Sequence, residues 1–358
     1  MDFTNIEGYT DIQYSLDALY SKKNIDFSSS AISNGLLDEL KKAGFVDIFH
    51  CDADIHPLNL LSLIFKQAGY QAINLDLYSF FIDIPLIYKA TDKANYDFLG
   101  DHLSLNSLIT SAFREPYQHV EEGLQTRGVK ESNGYTITGK KYFIENFHQA
   151  KFIILSFQTN EGIKLALIDK NNVSSEEQII TSGLTVSQIA FKELHIEQEC
   201  ILNIDSPLDL INEIDLSQKL IRSMFIEGVS KRMMEMTAKY TAERKQFDRP
   251  IATFQAVSHR ASSMFIDHEC LSLVNQQALF SLINNKPEKE NHVLAAKAWS
   301  ADVSHRSSYS AQHLHGGMGV SKEYDLWKYC LLAKEHEIMH DSAAVCITNL
   351  GKNITLNQ

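Results

Sequence analysis

The spacing of apolar residues changes period twice along the chain and divides it into three regions. Over residues 1–103 it is helical. Leu36, Leu37 and Leu40 fall on one helix face, and Leu60, Leu61, Leu63 and Ile64 on another. Gly44 and Gly69 stand where C-terminal glycines end helices, and Pro85 is expected to break a third apolar helix. Over residues 104–206 the period drops to two. Gly134-Tyr-Thr-Ile-Thr-Gly139 alternates between glycines. Phe152 to Phe157 runs into a polar turn at Asn160-Glu161-Gly162 and returns through Ile163 to Ile168, the pattern of a β-hairpin. A further strand is expected over Leu184 to Phe191. Over residues 207–358 the helical period returns. Ile221, Met224, Phe225, Val229, Met233, Met236 and Tyr240 trace one face of a long helix. After Pro250, Thr253 is placed to cap a second helix with the face Phe254, Val257, Ala261, Met264 and Phe265. A third helix, Val293 to His313, is rich in alanine and serine, which lets helices approach closely. A fourth follows Gly319, and a fifth begins near Asp341, a ready N-cap.

At 358 residues, the chain is long enough for more than one core. Its net charge of -12 argues against general binding of nucleic acid or an anionic membrane, because both repel an acidic surface. A local basic pocket can still hold an anion. No uncharged apolar run is long enough to span a membrane, and the N-terminus does not resemble a signal peptide. The five cysteines are scattered and lack zinc or redox spacing. They read as reduced thiols of a cytoplasmic protein with no metal site.

Two segments carry candidate chemistry. In Ala242 to Val257, Arg244, Lys245 and Arg249 cluster where two helices meet. The second helix adds free N–H groups and the positive end of its dipole. Arg244 offers a planar fork for phosphate, and Gln255 can bond a neutral edge such as a sugar or base. The other segment, His315-Gly-Gly-Met-Gly319, lies between two helices, with Gln312 upstream. Its glycines permit close approach of the backbone to a ligand. Read separately, each segment also fits an ordinary helix end or turn.

Together, Glu243-Arg244, Phe247, Pro250-Ile251, Phe254-Gln255, Gln312, Gly316, Gly317 and Gly319 resemble the C-terminal domain of the acyl-CoA dehydrogenase family. The likeness is strong over residues 217–340. Gly134 to Ile144 looks like the family's β-hairpin, Thr110 to Pro116 like its strand ending in Thr-Glu-Pro, and Leu37 to Gly44 like an N-terminal helix. The resemblance implies an α+β fold: an N-terminal helical domain (1–103), a middle β-domain (104–206) and a C-terminal four-helix bundle (207–358). It implies FAD as cofactor and an acyl-CoA or other acyl thioester as substrate. It also implies electron-transferring flavoprotein as an acceptor, and an oligomer. Positions like Arg244, Phe247, Gln255, Gln312, Gly316 and Gly317 would contact the pyrophosphate and adenosine end of a neighbouring subunit's FAD.

The chain departs from the family where the chemistry occurs. The glutamate base after the fourth bundle helix aligns with His340, with Asp341 beside it. The other place used for that base falls near Gln218, which cannot usefully accept a proton. Arg114 replaces a threonine, Tyr117-Gln118-His119 replaces a loop of small residues, and Glu145 replaces a hydroxyl that meets the flavin ring. A carboxylate there disfavours an anionic reduced flavin. Leu314 to Tyr329 resembles a form found in bacterial dehydrogenases of bulky acyl-CoA thioesters, some of them heteromers. The leading expectation is a subunit of such a heteromer, completing a partner dehydrogenase subunit's cofactor site. Two other readings stay open: a self-sufficient dehydrogenase using Asp341 or His340, and a non-dehydrogenating member of the fold.

Overall fold

The computed structural model describes residues 9–21, 27, 31, 35–46, 56–91, 108–115 and 124–356. The expected loop at Pro116 to His119 lies outside them. The described chain packs as two compact units, one with α1 (Tyr9–Ser21), α3 (Pro57–Tyr70) and residues 216–356, the other with α2 (Leu36–Lys42) and residues 76–215. The helices N-terminal to the sheet are thus shared between the two units.

The second unit is built on a sheet: β1 (Ile109–Ala112), β2 (Arg127–Glu131), β3 (Gly134–Glu145), β4 (Phe152–Thr159), β5 (Gly162–Asp169), β6 (Ser175–Ile179) and β7 (Thr185–Ile196). The strand order is β1-β4-β2-β3-β7-β6, with β5 also paired to β4. The expected hairpin is β4–β5, in register from Phe152 opposite Asp169 to Thr159 opposite Gly162. Strand alternation sends successive β4 side chains to opposite faces. Ile153, Leu155 and Phe157 join Ile137, Ile189 and Phe191 in one apolar cluster. Ile154 joins Ile84, Ile87, Leu165 and Leu210 in another. Pro85 does not break a helix. It lies in the first turn of α4 (Ile84–Ala90), which continues directly from a π-helical turn, Ser79–Asp83, with helical backbone angles at the join, so the widened turn accommodates a residue that cannot donate.

The first unit is dominated by α5 (Pro207–Glu243) from residue 216 onward, α6 (Gln255–Ile283), α7 (Lys289–His315), α8 (Leu326–Ile338) and α9 (Ala343–Leu356). Leu216, Leu220 and Met224 of α5 pack on Ala278 and Leu282 of α6 and on Val293 and Ala296 of α7. Ser300, Ala301, Ser304, Ser307 and Ser308 of α7 are buried, as its small-residue composition foretells. Gly69 has a role other than ending α3. A Cβ there would lie 2.1 Å from the carbonyl oxygen of Phe225, and one at Gly228 would lie 1.9 Å from that of Lys66. Two helix backbones touch at these glycines. Thr253 does not cap α6; its hydroxyl donates to the Pro250 carbonyl, and Phe254 holds the N-cap position. No helix among the described residues is long and apolar enough to cross a membrane.

Candidate functional site

The corner after α5 is a tight hairpin. The Arg244 amide donates to the Tyr240 carbonyl, and the Ile251 amide donates back to the Arg244 carbonyl, each at 2.8 Å. Between them β8 (Lys245–Gln246) pairs with β9 (Arg249–Pro250). The turn residues Phe247 and Asp248 have φ of 53° and 61°. Two positive φ values in a two-residue hairpin turn suit Asn-Gly far better than Phe-Asp, and a bulky residue there is strained. Phe247 is nevertheless 87% exposed. Its ring meets Phe254 edge-on at 6.2 Å, and the Arg249 guanidinium covers Phe254 at 4.3 Å. The fold thus holds an aromatic ring outward at a conformational cost. Around it, Arg244, Lys245, Arg249 and Gln255 are also exposed. Here α6 begins with no side-chain cap, leaving its first N–H groups without a side-chain acceptor.

The glycine segment lies against this corner. His315, the last residue of α7, stacks on Tyr240 with ring centroids 4.4 Å apart. Tyr240 is one helical turn before Arg244, so this contact brings the two sequence segments together. Gly316 follows with φ 59° and ψ -135°, a conformation suited to glycine. A Cβ at Gly316 or Gly317 would meet nothing within 4 Å, so both glycine backbones are accessible. Gln312 is half-buried, with its backbone against Gly319. His313 is exposed, and its Nδ1 accepts from Arg260 at 2.6 Å.

The two places for a base also converge. His340 and Asp341 link α8 to α9 with φ of 49° and 77°. Asp341 does not begin a helix. It pairs with Lys219 at 2.9 Å. The Arg222 guanidinium contacts the Gln218 amide oxygen at 3.5 Å and the Met339 sulfur at 3.7 Å, joining the start of α5 to the same loop. Lys297 of α7 donates to the His336 carbonyl at 3.0 Å. Burial pushes Lys297 down to about 8, and Arg222 and Lys219 push the same way. Burial also holds His336 well below the ordinary histidine range, assisted by the charges of Arg222 and Lys297. The base positions are therefore set among buried cations. An Asp341 oxygen is already engaged by an ammonium group, and His340 is buried.

In the other unit, Glu145 ends β3 and is buried, its carbonyl accepting from the Thr110 hydroxyl at 2.7 Å. Burial raises the nearby Asp76 carboxyl to about 7, and the charge of Glu145 adds to the rise. Arg114 forms an ion pair with Asp215 at 3.3 Å. Glu115 is buried with Lys141 at 2.6 Å and accepts from the amides of Gln125 and Thr126. Burial pushes this carboxyl up, but the Lys141 charge and the hydrogen bonds outweigh it and leave it below the usual carboxylate range. Among the described residues no group of three or more His, Cys, Asp or Glu could hold a metal ion.

Helical elements together with a central sheet, and a bundle carrying a cationic corner and a glycine turn, define the class. Residues 219–354 match the acyl-CoA dehydrogenase C-terminal domain, which identifies this part of the chain as that domain. Among curated proteins it is 27% identical over 230 residues to acyl-CoA dehydrogenase FadE27 of Mycobacterium tuberculosis, spanning 62% of this chain and 61% of that protein's length. Among solved structures it is similar to the ChsE4-ChsE5 complex from Mycobacterium tuberculosis, with TM-score 0.86, 21% identity and 99% of each chain covered. It is likewise similar to PigA with FAD and proline, with TM-score 0.86, 20% identity and 100% of each chain covered. At these identities the two structures establish the fold.

Proposed function

We propose that this chain is a subunit of a heteromeric, FAD-dependent α,β-dehydrogenase of bulky acyl-CoA thioesters, in which it completes the cofactor site of a neighbouring catalytic chain. The carrying observation is the contrast between its two sites. At the base position Asp341 is paired with Lys219 beside Gln218, Arg222 and Lys297. At the corner, Arg244, Phe247 and Gly316-Gly317 are exposed and open. Such a corner fits the pyrophosphate of FAD: Arg244 would hold phosphate oxygens, the glycine backbone would permit close approach, and Phe247 and Gln255 would meet the adenosine end. Bound FAD supplies the hydride acceptor for the α,β-dehydrogenation. The chain's own ring-side position does not fit as well, since Glu145 places a buried carboxyl where the family has a hydroxyl.

On this reading the partner contributes the base and the surface facing its own flavin ring, and electron-transferring flavoprotein takes the electrons onward. The likeness to a complex of two such chains supports a heteromer. Domain limits of 1–103, 104–206 and 207–358 and a cytoplasmic location go with it. The test is purification alone and with the products of neighbouring genes. Flavin bound per chain is measured first, and then its bleaching by an acyl-CoA. Full flavin with bleaching in the lone chain would replace this reading with a self-sufficient enzyme. Flavin without bleaching in every combination would favour a non-dehydrogenating member of the fold.

A further inference from the structure

Polar side chains of α1, α3 and α5 line a cavity of about 180 Å³ within the first unit. Tyr9 and Gln13 come from α1, Lys66, Gln67 and Tyr70 from α3, and Lys231 from α5. Among the described residues no carboxylate lines it. Lys66 pairs with Glu227, a buried carboxylate that also accepts from the Asn275 amide at 2.9 Å. That pair uses one of the three ammonium donors of Lys66 and leaves two. Lys231 forms no ion pair with a described residue; its ammonium lies 5.6 Å from the centre of the Tyr70 ring, at the cavity wall. The Gln13 amide and the Tyr9 hydroxyl have no hydrogen-bond partner among the described residues. Acids bordering these side chains are engaged elsewhere: Asp17 accepts from Gln67 and Gln71, and Glu235 accepts from the Tyr70 hydroxyl at 2.6 Å.

We propose that this cavity binds a phosphate group, held by the ammonium groups of Lys66 and Lys231 and by donors from Gln13 and Tyr9, and that the bound group ties α1 to the bundle. The lining is rich in donors and carries two positive charges, the chemistry that a phosphate's acceptor oxygens require. Glu227 and Glu269 offset part of the Lys66 charge, so Lys231 supplies the attraction that Lys66 alone lacks. The volume is below the roughly 300–1,000 Å³ of pockets that enclose drug-sized ligands, so it suits a free ion or one phosphate group of a larger molecule. The consequence falls on α1. A helix of 13 residues is marginal without tertiary support. Tyr20 secures its C-terminal half, donating to the Ile64 carbonyl at 3.2 Å. A phosphate between Tyr9 and Gln13 on one side and Lys66 and Lys231 on the other fastens the N-terminal half. The site is separate from the Arg244 corner and does not depend on its function.

The experiment measures amide hydrogen exchange of α1 in the full chain, with orthophosphate, glycerol 3-phosphate or sodium chloride at matched ionic strength. Orthophosphate at about 10 mM should slow exchange across α1 by about threefold or more relative to chloride. Lys231→Met should abolish the slowing, Lys231→Arg should keep it because the charge remains, and Arg244→Ala should leave it unchanged. Slowing by orthophosphate alone identifies a free ion as the occupant, and slowing by both phosphates identifies a phosphate group of a larger molecule; each supports the site. No slowing by either phosphate, equal slowing in Lys231→Met, or loss of the slowing in Arg244→Ala would overturn the proposal. None of these outcomes decides whether the corner completes a partner's FAD site, which flavin retention tests.

Discussion

Phe247 and Asp248 adopt left-handed backbone angles that neither residue favours, and Phe247 is exposed there. Each such residue costs on the order of 1 kcal/mol. The double substitution Phe247→Asn with Asp248→Gly gives this turn the residue types it suits. It should therefore raise stability by about 1 kcal/mol in denaturant unfolding, while weakening FAD retention in the complex. Stabilisation without any loss of FAD would remove Phe247 from the cofactor site. Lys297 allows a pH test. Its folded pKa of about 8 lies below its ordinary value of 10.5, so the folded state binds fewer protons between those values. Stability of the natural chain should rise relative to Lys297→Met as pH increases from 8 to 10.5, and parallel curves would contradict the burial argument. At the buried ion pair in the sheet unit, Lys141→Met leaves Glu115 without its counter-charge and should cost about 3–5 kcal/mol in the same unfolding measurement.

Among the elements, the crossing of α3 and α5 depends on Gly69 and Gly228. Gly228→Ala forces a methyl group to within 1.9 Å of a backbone carbonyl, so one helix must move. A loss of about 1–3 kcal/mol is expected in thermal or denaturant unfolding, and a neutral effect would contradict the close crossing. Sequence periodicity anticipated much of this level. The β4–β5 hairpin and the buried face of α5 follow directly from periods of two and 3.6. The misassigned residues share one cause: a local signal with two physical uses. Gly69 serves close packing, and Pro85 sits in a helix's first turn. The Thr253 hydroxyl turns back to Pro250, and Asp341 reaches across to Lys219 instead of capping. Cysteine count and net charge carried no information about these choices, because tertiary neighbours decide them.

At the scale of the whole molecule, the candidate site was partly legible. The Arg244 and Gly316-Gly317 segments could be singled out by residue type, whereas the Tyr240–His315 contact that joins them could not, since stacking of two distant rings leaves no periodic trace. Likewise, the sequence marked Gln218 and His340 as altered base positions but could not reveal the shared cluster of Lys219, Arg222, Lys297 and Asp341. Both features are the basis of the proposal that this chain assists a neighbour's cofactor more than it performs proton abstraction itself. The most direct test is anaerobic acyl-CoA addition to the lone chain and to its co-purified complex, followed by the flavin absorbance. The account predicts bleaching in the complex, its loss or strong reduction when this chain carries Arg244→Ala, and none in the lone chain. Bleaching of full, stably bound flavin by the lone chain would contradict it.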